Sequence, residues 1–275
     1  MNLAIFGSGI ISSELATFLS KKKHHVTVAV QYPEKLHIFS KSVEKSIVLK
    51  DFEDDDLLPI IVNNHLLVVP LSSDTLEEAT PVTFQIAHAI RRMALHGELM
   101  RRIVVMSSTA VYGDHNGLWV DETSSLKAET EEGKMLIDAE RIFESLSEFG
   151  WNVCILRVAE IYGSNRELSK RLRSLNSPLP GSGFTYTNMI HRIDVISAID
   201  YCIRHHLEGI YNLVDDEHPT REELYKEIIE RDRLPPVEWD PSIAEWHRVN
   251  KRVSNHKIKA AGFSLKHAYR VREAL

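Results

Sequence analysis

The chain has 275 residues, a net charge of -6 with its 14 histidines counted neutral, 43% hydrophobic residues and 26% charged ones. That is a soluble globular composition, and the length suffices for a full core without staples. A mildly acidic chain has no general electrostatic pull toward nucleic acid or an anionic membrane, and no apolar run reaches the roughly 18 residues of a membrane span, so neither partner is expected.

In chain order, "NLAIF" (2–6) reads as a strand and runs straight into "GSG". "IISSELATFLSKK" (10–22) carries apolar residues at helical spacing. "HVTVAV" (25–30), "SIVL" (46–49), "HLLVVPL" (65–71) and "RIVVMS" (102–107) read as further strands. "PVTFQIAHAIRRMALHG" (81–97) predicts a helix with Pro81 in its first turn and Gly97 at its stop. "GKMLIDAERIFESLSEFG" (133–150) predicts another, followed by the strand "WNVCILRV" (151–158). Beyond residue 163 the texture changes. "SLNSPLPGSG" (174–183) reads as loop, and helices at 193–206 and 221–232 flank a strand at 209–214.

Strands alternating with helical patterns imply a doubly wound parallel α/β sheet, and continuously apolar strands fit burial on both faces. The expected organisation is a dinucleotide-binding Rossmann core over 1–163. Residues 164–275 would form mostly a small C-terminal substrate lobe, with 189–214 returning to the core sheet. Cys154 and Cys202 lie in apolar segments and are expected as buried free thiols; a disulfide framework or zinc site needs more cysteines or closer spacing. The first apolar stretch lacks a basic flank and reads as a strand rather than a signal peptide, so the expected location is cytoplasmic.

Gly7-Ser8-Gly9 follows the first strand and opens the first helix, the context a dinucleotide fingerprint requires. The first glycine permits the tight turn, and the second lets backbone approach a pyrophosphate. The helix start, with Ile10 and Ile11, offers free N–H groups. Ser12 stands where a third glycine is usual, and a small side chain there should cost little. After the second strand comes Gln31, which can hydrogen-bond a ribose hydroxyl but neither repels nor neutralises a 2′-phosphate. NAD is therefore the expected cofactor, with NADP left open. Asp51 and Phe52, after the third strand, suit the adenine edge and face, though Asp51 equally suits a helix N-cap.

The blocks "IFGSGIISSELA", "VVMSSTAVYGD", "VDET", "ILRVAEIYGSNR", "NMIHRIDVISAI" and "GIYNLVDDEHPTREEL" together resemble the extended short-chain dehydrogenase/reductase superfamily, its NAD-dependent epimerase/dehydratase group. The closing "NKRVSNHKIKAAGF" resembles an atypical branch of it. The resemblance implies that Pro70, Leu71 and Ser107 meet the cofactor. It makes Ser108, four residues before Tyr112, the catalytic hydroxyl, and it calls for a Tyr-x-x-x-Lys pair at the start of the next helix. No such pair stands there. If Gly133 follows the missing tyrosine, the pair becomes Glu132 and Leu136, with Glu140 as the later acid. If Lys134 is the lysine, the tyrosine becomes Thr130.

The first register is preferred. Glu132 as a base competes with its plainer role, an acid complementing a helix N-terminus. Tyr112 offers a phenol to the cleft or packs. His191 falls where the family places substrate-pocket residues, with Asn188 beside it, and one of the two suits such a role; Arg166 suits either an anionic substrate or a solvated helix start. Asp194 is expected to cap a helix, Arg157 to be structural, and "KRVSN" (251–255) to be a surface segment docking the C-terminal lobe rather than an anion site. The implied function is an NAD(P)-binding epimerase/dehydratase-like protein acting on a nucleotide-sugar-like or other small polar substrate with a non-standard acid/base. The alternative is a catalytically silent NAD(P)-binding sensor or regulator. A small-molecule substrate is the expected partner, and a homodimer is compatible with the sequence.

Overall fold

The computed structural model describes residues 1–39, 43–49, 54–71, 79–95, 101–163, 168–175, 177–243 and 249–270. Its strands are β1 (Asn2–Phe6), β2 (His25–Val30), β3 (Lys45–Val48), β4 (Leu66–Pro70), β5 (Arg102–Ser108), β6 (Trp119–Val120), β7 (Asn152–Val158), β8 (Glu160–Tyr162), β9 (Leu179–Pro180), β10 (Met189–His191), β11 (Gly209–Leu213), β12 (Trp239–Asp240) and β13 (Arg252–Val253). Its helices are α1 (Ile10–Lys21), α2 (Asp54–Asn63), α3 (Ala79–Leu95), α4 (Glu131–Ser145), α5 (Leu168–Arg173), α6 (Arg192–His205), α7 (Arg221–Asp232) and α8 (His256–Ala260).

Two compact units divide the chain, and neither is continuous in sequence. The first comprises Met1–Ser108, Lys134–Arg157 and Ile196–Tyr211. It is built on a seven-stranded parallel sheet, ordered β11-β7-β5-β4-β1-β2-β3. Leu3 to Phe6 of β1 and Ile103 to Ser107 of β5 are buried without a break. Successive strand side chains point to opposite faces, so unbroken burial means that both faces are covered. The register slides in order, with Asn2 opposite His25 and Leu3 opposite Leu66. From β1 the chain first builds outward through β2 to β3, then crosses to the other side of β1 for β4 and β5. The order therefore reverses between β1 and β4, the point at which an open α/β sheet leaves a crevice beyond its strand ends.

Arg157, on β7, donates to Glu140 of α4 at 2.8 Å with both side chains 3% exposed. Arg157 is thus held in a buried ion pair, in keeping with the structural role expected of it. Cys154 and Cys202 are both buried.

The second unit comprises Thr109–Gly133, Val158–Val195 and Asn212–Leu275. Its core gathers Tyr162, Leu172, Met189, Leu224, Tyr225 and Ile228. Short parallel ladders tie distant segments together: β8 with β10, β9 with β12, and β6 with β13. The stretch around 174–183, expected as loop, thus contains β9. Its pairing partner lies in the 239–240 segment, and a two-residue ladder between distant segments leaves no local pattern. The "KRVSN" segment is not a surface segment either. Its Arg252–Val253 pair forms β13, and Lys251 and Val253 are 3% and 0% exposed.

Asp194 lies in the first turn of α6, fully buried. Its carboxylate accepts from the backbone N–H groups of Lys266 and His267 and from the His267 ring, docking the 266–267 segment. Arg270 is similarly tied, donating to Asp215 at 2.9 Å with neither side chain exposed. Among the described residues, no helix is long and apolar enough to cross a membrane.

Candidate functional site

In the first unit, the β1–α1 turn sits at the sheet's reversal point. Gly7 has φ +90°, and a Cβ there would lie 3.3 Å from the Cγ of Pro70 at the end of β4. Its N–H donates to Ala29 O at 2.8 Å. This glycine is required by its own backbone. Gly9 differs: its φ of −68° is ordinary, and nothing lies within 4 Å of where its Cβ would stand. It is the N-cap of α1, and as a glycine it makes no side-chain cap hydrogen bond; the first turn of that helix holds no acid. Ser12 is buried at 5%, a small group accepted where the turn packs. Ser8 and Ile11 are half-buried or more exposed, while Ile10 is 42% exposed although apolar.

Ser107, near the end of β5, is 2% exposed, and its hydroxyl has no hydrogen-bond partner among the described residues. An orphaned buried hydroxyl is rare enough to call for a missing partner. The Leu71 N–H donates to Met106 O at 2.8 Å, which fixes β4 and β5 side by side at their ends. Gln31 is half-buried just past β2, and Lys35 is exposed. Ser108, the last residue of β5, is half-buried. Asp51, Phe52 and Arg166 lie outside the described residues.

The uncapped start of α1, the open space over Gly9 and the unpartnered Ser107 hydroxyl fit a dinucleotide's phosphates and sugar. In the preferred register, the position that would carry the ribose-binding lysine does not fit: it is Leu136, 5% exposed and packed in the core. No Tyr-x-x-x-Lys occurs anywhere in the chain.

In the second unit, Tyr112 is fully buried and its phenol donates to Asn212 Oδ1 at 2.7 Å. Its proton is spent on packing the unit. Glu132 lies in the first turn of α4, beside Glu131. Thr130 caps this helix, its Oγ accepting from the Gly133 N–H at 3.1 Å. Gly133 packs closely: a Cβ would come within 2.6 Å of Ala128 Cβ.

Asn188 uses its amide on the 250–253 segment, donating to Lys251 O at 2.9 Å and accepting from Val253 N–H at 2.8 Å and from His218 at 3.1 Å. His191 is 5% exposed, pressed against Gly163 and ring-to-ring with His267 at 3.9 Å. A cleft of about 280 Å³ in the same unit is lined by Asp114, Ser182, Thr185, Pro241, Ile243 and Asn250 with Gly181. Sequence reading singled out none of these. The short polar side chains come from three separate segments, and only folding gathers them.

The doubly wound sheet with a glycine turn at its reversal point defines a Rossmann-type protein. More specifically, the chain belongs to the NAD dependent epimerase/dehydratase family, whose model matches residues 5–213. No curated protein matches it. Among solved structures, a functionally unknown conserved protein from Silicibacter pomeroyi DSS is 24% identical, with a TM-score of 0.80 over 98% of this chain and 94% of that one. The dTDP-glucose 4,6-dehydratase of Bacillus anthracis str. Ames, solved in complex with NAD, is 16% identical with a TM-score of 0.81 over 100% and 94%. The UDP-glucose 4-epimerase of Thermus thermophilus, also a complex with NAD, is 17% identical with a TM-score of 0.79 over 100% and 96%. These likenesses show the fold.

Proposed function

We propose that this protein binds a nicotinamide dinucleotide, NAD in preference to NADP, at the turn formed by residues 7–11, and takes a nucleotide-sugar-like or other small polar ligand in its second unit. The carrying observation is the contrast at the turn: Gly7 is demanded by its backbone, whereas Gly9 leaves an open space over an uncapped helix start. A pyrophosphate there would receive the free N–H groups of α1 and the positive end of its dipole. Ser107 supplies a hydroxyl that lacks a protein partner among the described residues. Gln31 is assigned to a ribose hydroxyl. NAD in this family supplies oxidising and reducing capacity; the chain's own residues bind it, orient it and handle protons.

Ser108, at the end of β5, keeps the hydroxyl that the family resemblance makes catalytic. Glu132 is the acid that the preferred register puts in place of the missing tyrosine, with Glu131 beside it in the first turn of α4 and Thr130 at the cap. The test is thermal unfolding with NAD and NADP, and then with UDP-glucose. NAD should raise the melting temperature at least as much as NADP. A more than tenfold preference for NADP, about 1.4 kcal/mol, overturns the cofactor choice.

A second reading has its own observation. With Glu132 and the buried Leu136 in place of Tyr and Lys, the proton relay of the family is absent. General acid–base groups each contribute roughly 10²–10⁴-fold. The chain would then bind the cofactor and report its state with negligible turnover. A steady-state assay with UDP-glucose, comparing wild type with Ser108→Ala and Glu132→Gln, separates the two: turnover that falls in both variants supports the enzyme, and none in any protein supports the sensor.

A further inference from the structure

Lys251 is a buried lysine held in place on both sides. The N–H of Asn250 donates to Asp114 Oδ1 at 3.1 Å, and the Asn250 carbonyl accepts from His115 and Gly117 at 3.0 and 2.8 Å. On the other side, the Arg252 N–H donates to Leu118 O at 3.0 Å, and Asn188 grips the Lys251 carbonyl. The backbone at 250–253 is therefore fixed, and the side chain has little freedom to leave.

What it reaches is too little for a cation. The residue is 3% exposed, and its Nζ donates to Gly113 O at 3.3 Å, its one partner among the described residues. An ammonium carries three N–H donors. Asp114 is the charged group facing it, yet the two form no ion pair within 4.0 Å among the described residues. Asp114 Oδ1 is already occupied by the N–H groups of Asn116 and Asn250. Burying an ammonium whose facing carboxylate makes no ion pair with it costs several kcal/mol, and an apolar side chain of similar length would avoid that cost. Burial has pushed the amine down to about 8. Several backbone hydrogen bonds thus position a cation that the described residues leave incomplete.

We propose that Lys251 is a ligand-binding residue whose ammonium is completed by an anionic oxygen group, phosphate or carboxylate, of a bound small molecule. This rests on the reading that the second unit receives a small polar ligand. It adds the charge class of that ligand and the residue that meets it. A neutral hydroxyl would satisfy a donor but not the charge.

Binding of an anion must stabilise the charged amine, so it draws in a proton wherever the free amine is partly neutral. Near pH 8 the uptake should be about half a proton per ligand, fading toward pH 6.5, because the free amine titrates at about 8. Titration calorimetry of the full chain in two buffers of different ionisation enthalpy reads this directly. The probes are sodium pyrophosphate, sodium glucuronate and UDP-glucose, applied to wild type, Lys251→Met and Lys251→Arg.

Pyrophosphate and UDP-glucose binding without glucuronate assigns the anion to a diphosphate; glucuronate binding assigns it to a carboxylate. Lys251→Met should weaken the binding probe at least about tenfold and abolish the proton uptake, and Lys251→Arg should retain binding without the uptake near pH 8. Without ligand, Lys251→Met should be no less stable in urea than wild type. Equal affinity of UDP-glucose for wild type and Lys251→Met overturns the role of Lys251 and leaves the ligand reading standing. Failure of every probe to bind wild type overturns both.

Discussion

Helices α1 and α7 begin in opposite ways. At α7, Thr220 accepts from the Glu223 N–H and Glu223 returns the bond to the Thr220 N–H, with Glu222 and Glu223 set against the dipole. At α1, the cap is Gly9, which makes no side-chain hydrogen bond to the first N–H groups, and the first turn holds no acid. Any helix leaves four N–H groups without an internal partner, and something must satisfy them. One helix satisfies them with its own chain. The other keeps them available at the reversal point of the sheet. The lesson is that a helix start without the usual cap can be as informative as a motif, because the uncapped state costs stability that a bound anion restores.

The glycines sharpen this contrast. Gly113 has φ +65°, and a Cβ would fall 2.0 Å from Lys127 O, an overlap with backbone that cannot swing aside. Gly113→Ala should therefore cost about 3 kcal/mol or more of stability through strain and displaced backbone. The measurement is urea unfolding, and a loss below about 1 kcal/mol breaks the account.

Gly9→Val makes the opposite case. Its Cβ enters open space and its φ of −68° suits any residue, so the free protein should keep its fold with only the small loss of a poorer N-cap residue. The stabilisation by NAD should vanish. At about 100 times the dissociation constant that is a loss of ~2.7 kcal/mol of ligand-induced stability. Equal thermal shifts in wild type and variant would remove the turn at residues 7–11 from the cofactor site.

A smaller effect tests the closed helix. Thr220→Ala removes one half of the α7 capping box and should cost ~1 kcal/mol, with NAD stabilisation unchanged. If it also abolished the NAD shift, the division between a ligand-facing and a self-capped helix start would fail.

The smallest net effect concerns pH. Burial pushes the Asp215 carboxyl up to about 6 despite the Arg270 guanidinium, so its contribution to stability falls as pH rises from 3.8 to about 6. Burial, helped by Arg270, pushes His218 down to about 4, so its contribution is lost as pH falls from 6.5 to about 4. The two oppose each other over most of the same range. His218→Phe keeps a ring against Trp119 and removes the second contribution. Relative to wild type, the variant should grow steadily more stable as pH falls from 6.5 toward 4; urea midpoints at several pH values give the difference. A constant difference across that range would show that His218 does not titrate with unfolding.

Sequence alone determined the alternating layout, the parallel sheet and the glycine turn. These rest on local signals: continuous apolar runs, helical spacing, and glycines between a strand and a helix. It also showed the missing Tyr-x-x-x-Lys, a plain matter of residue identity. The tertiary structure decided what spacing cannot carry. Tyr112 lies a few residues from Ser108, yet its phenol is bonded to Asn212, far along the chain. Asn188 reads as a ligand contact, yet it clamps the 250–253 segment. Lys251 reads as a surface charge because "NKR" is a polar run, and only the ladder between β6 and β13 buries it. Burial of a charge, and the partners left to it, depend on segments far apart in the chain, so no local pattern encodes them.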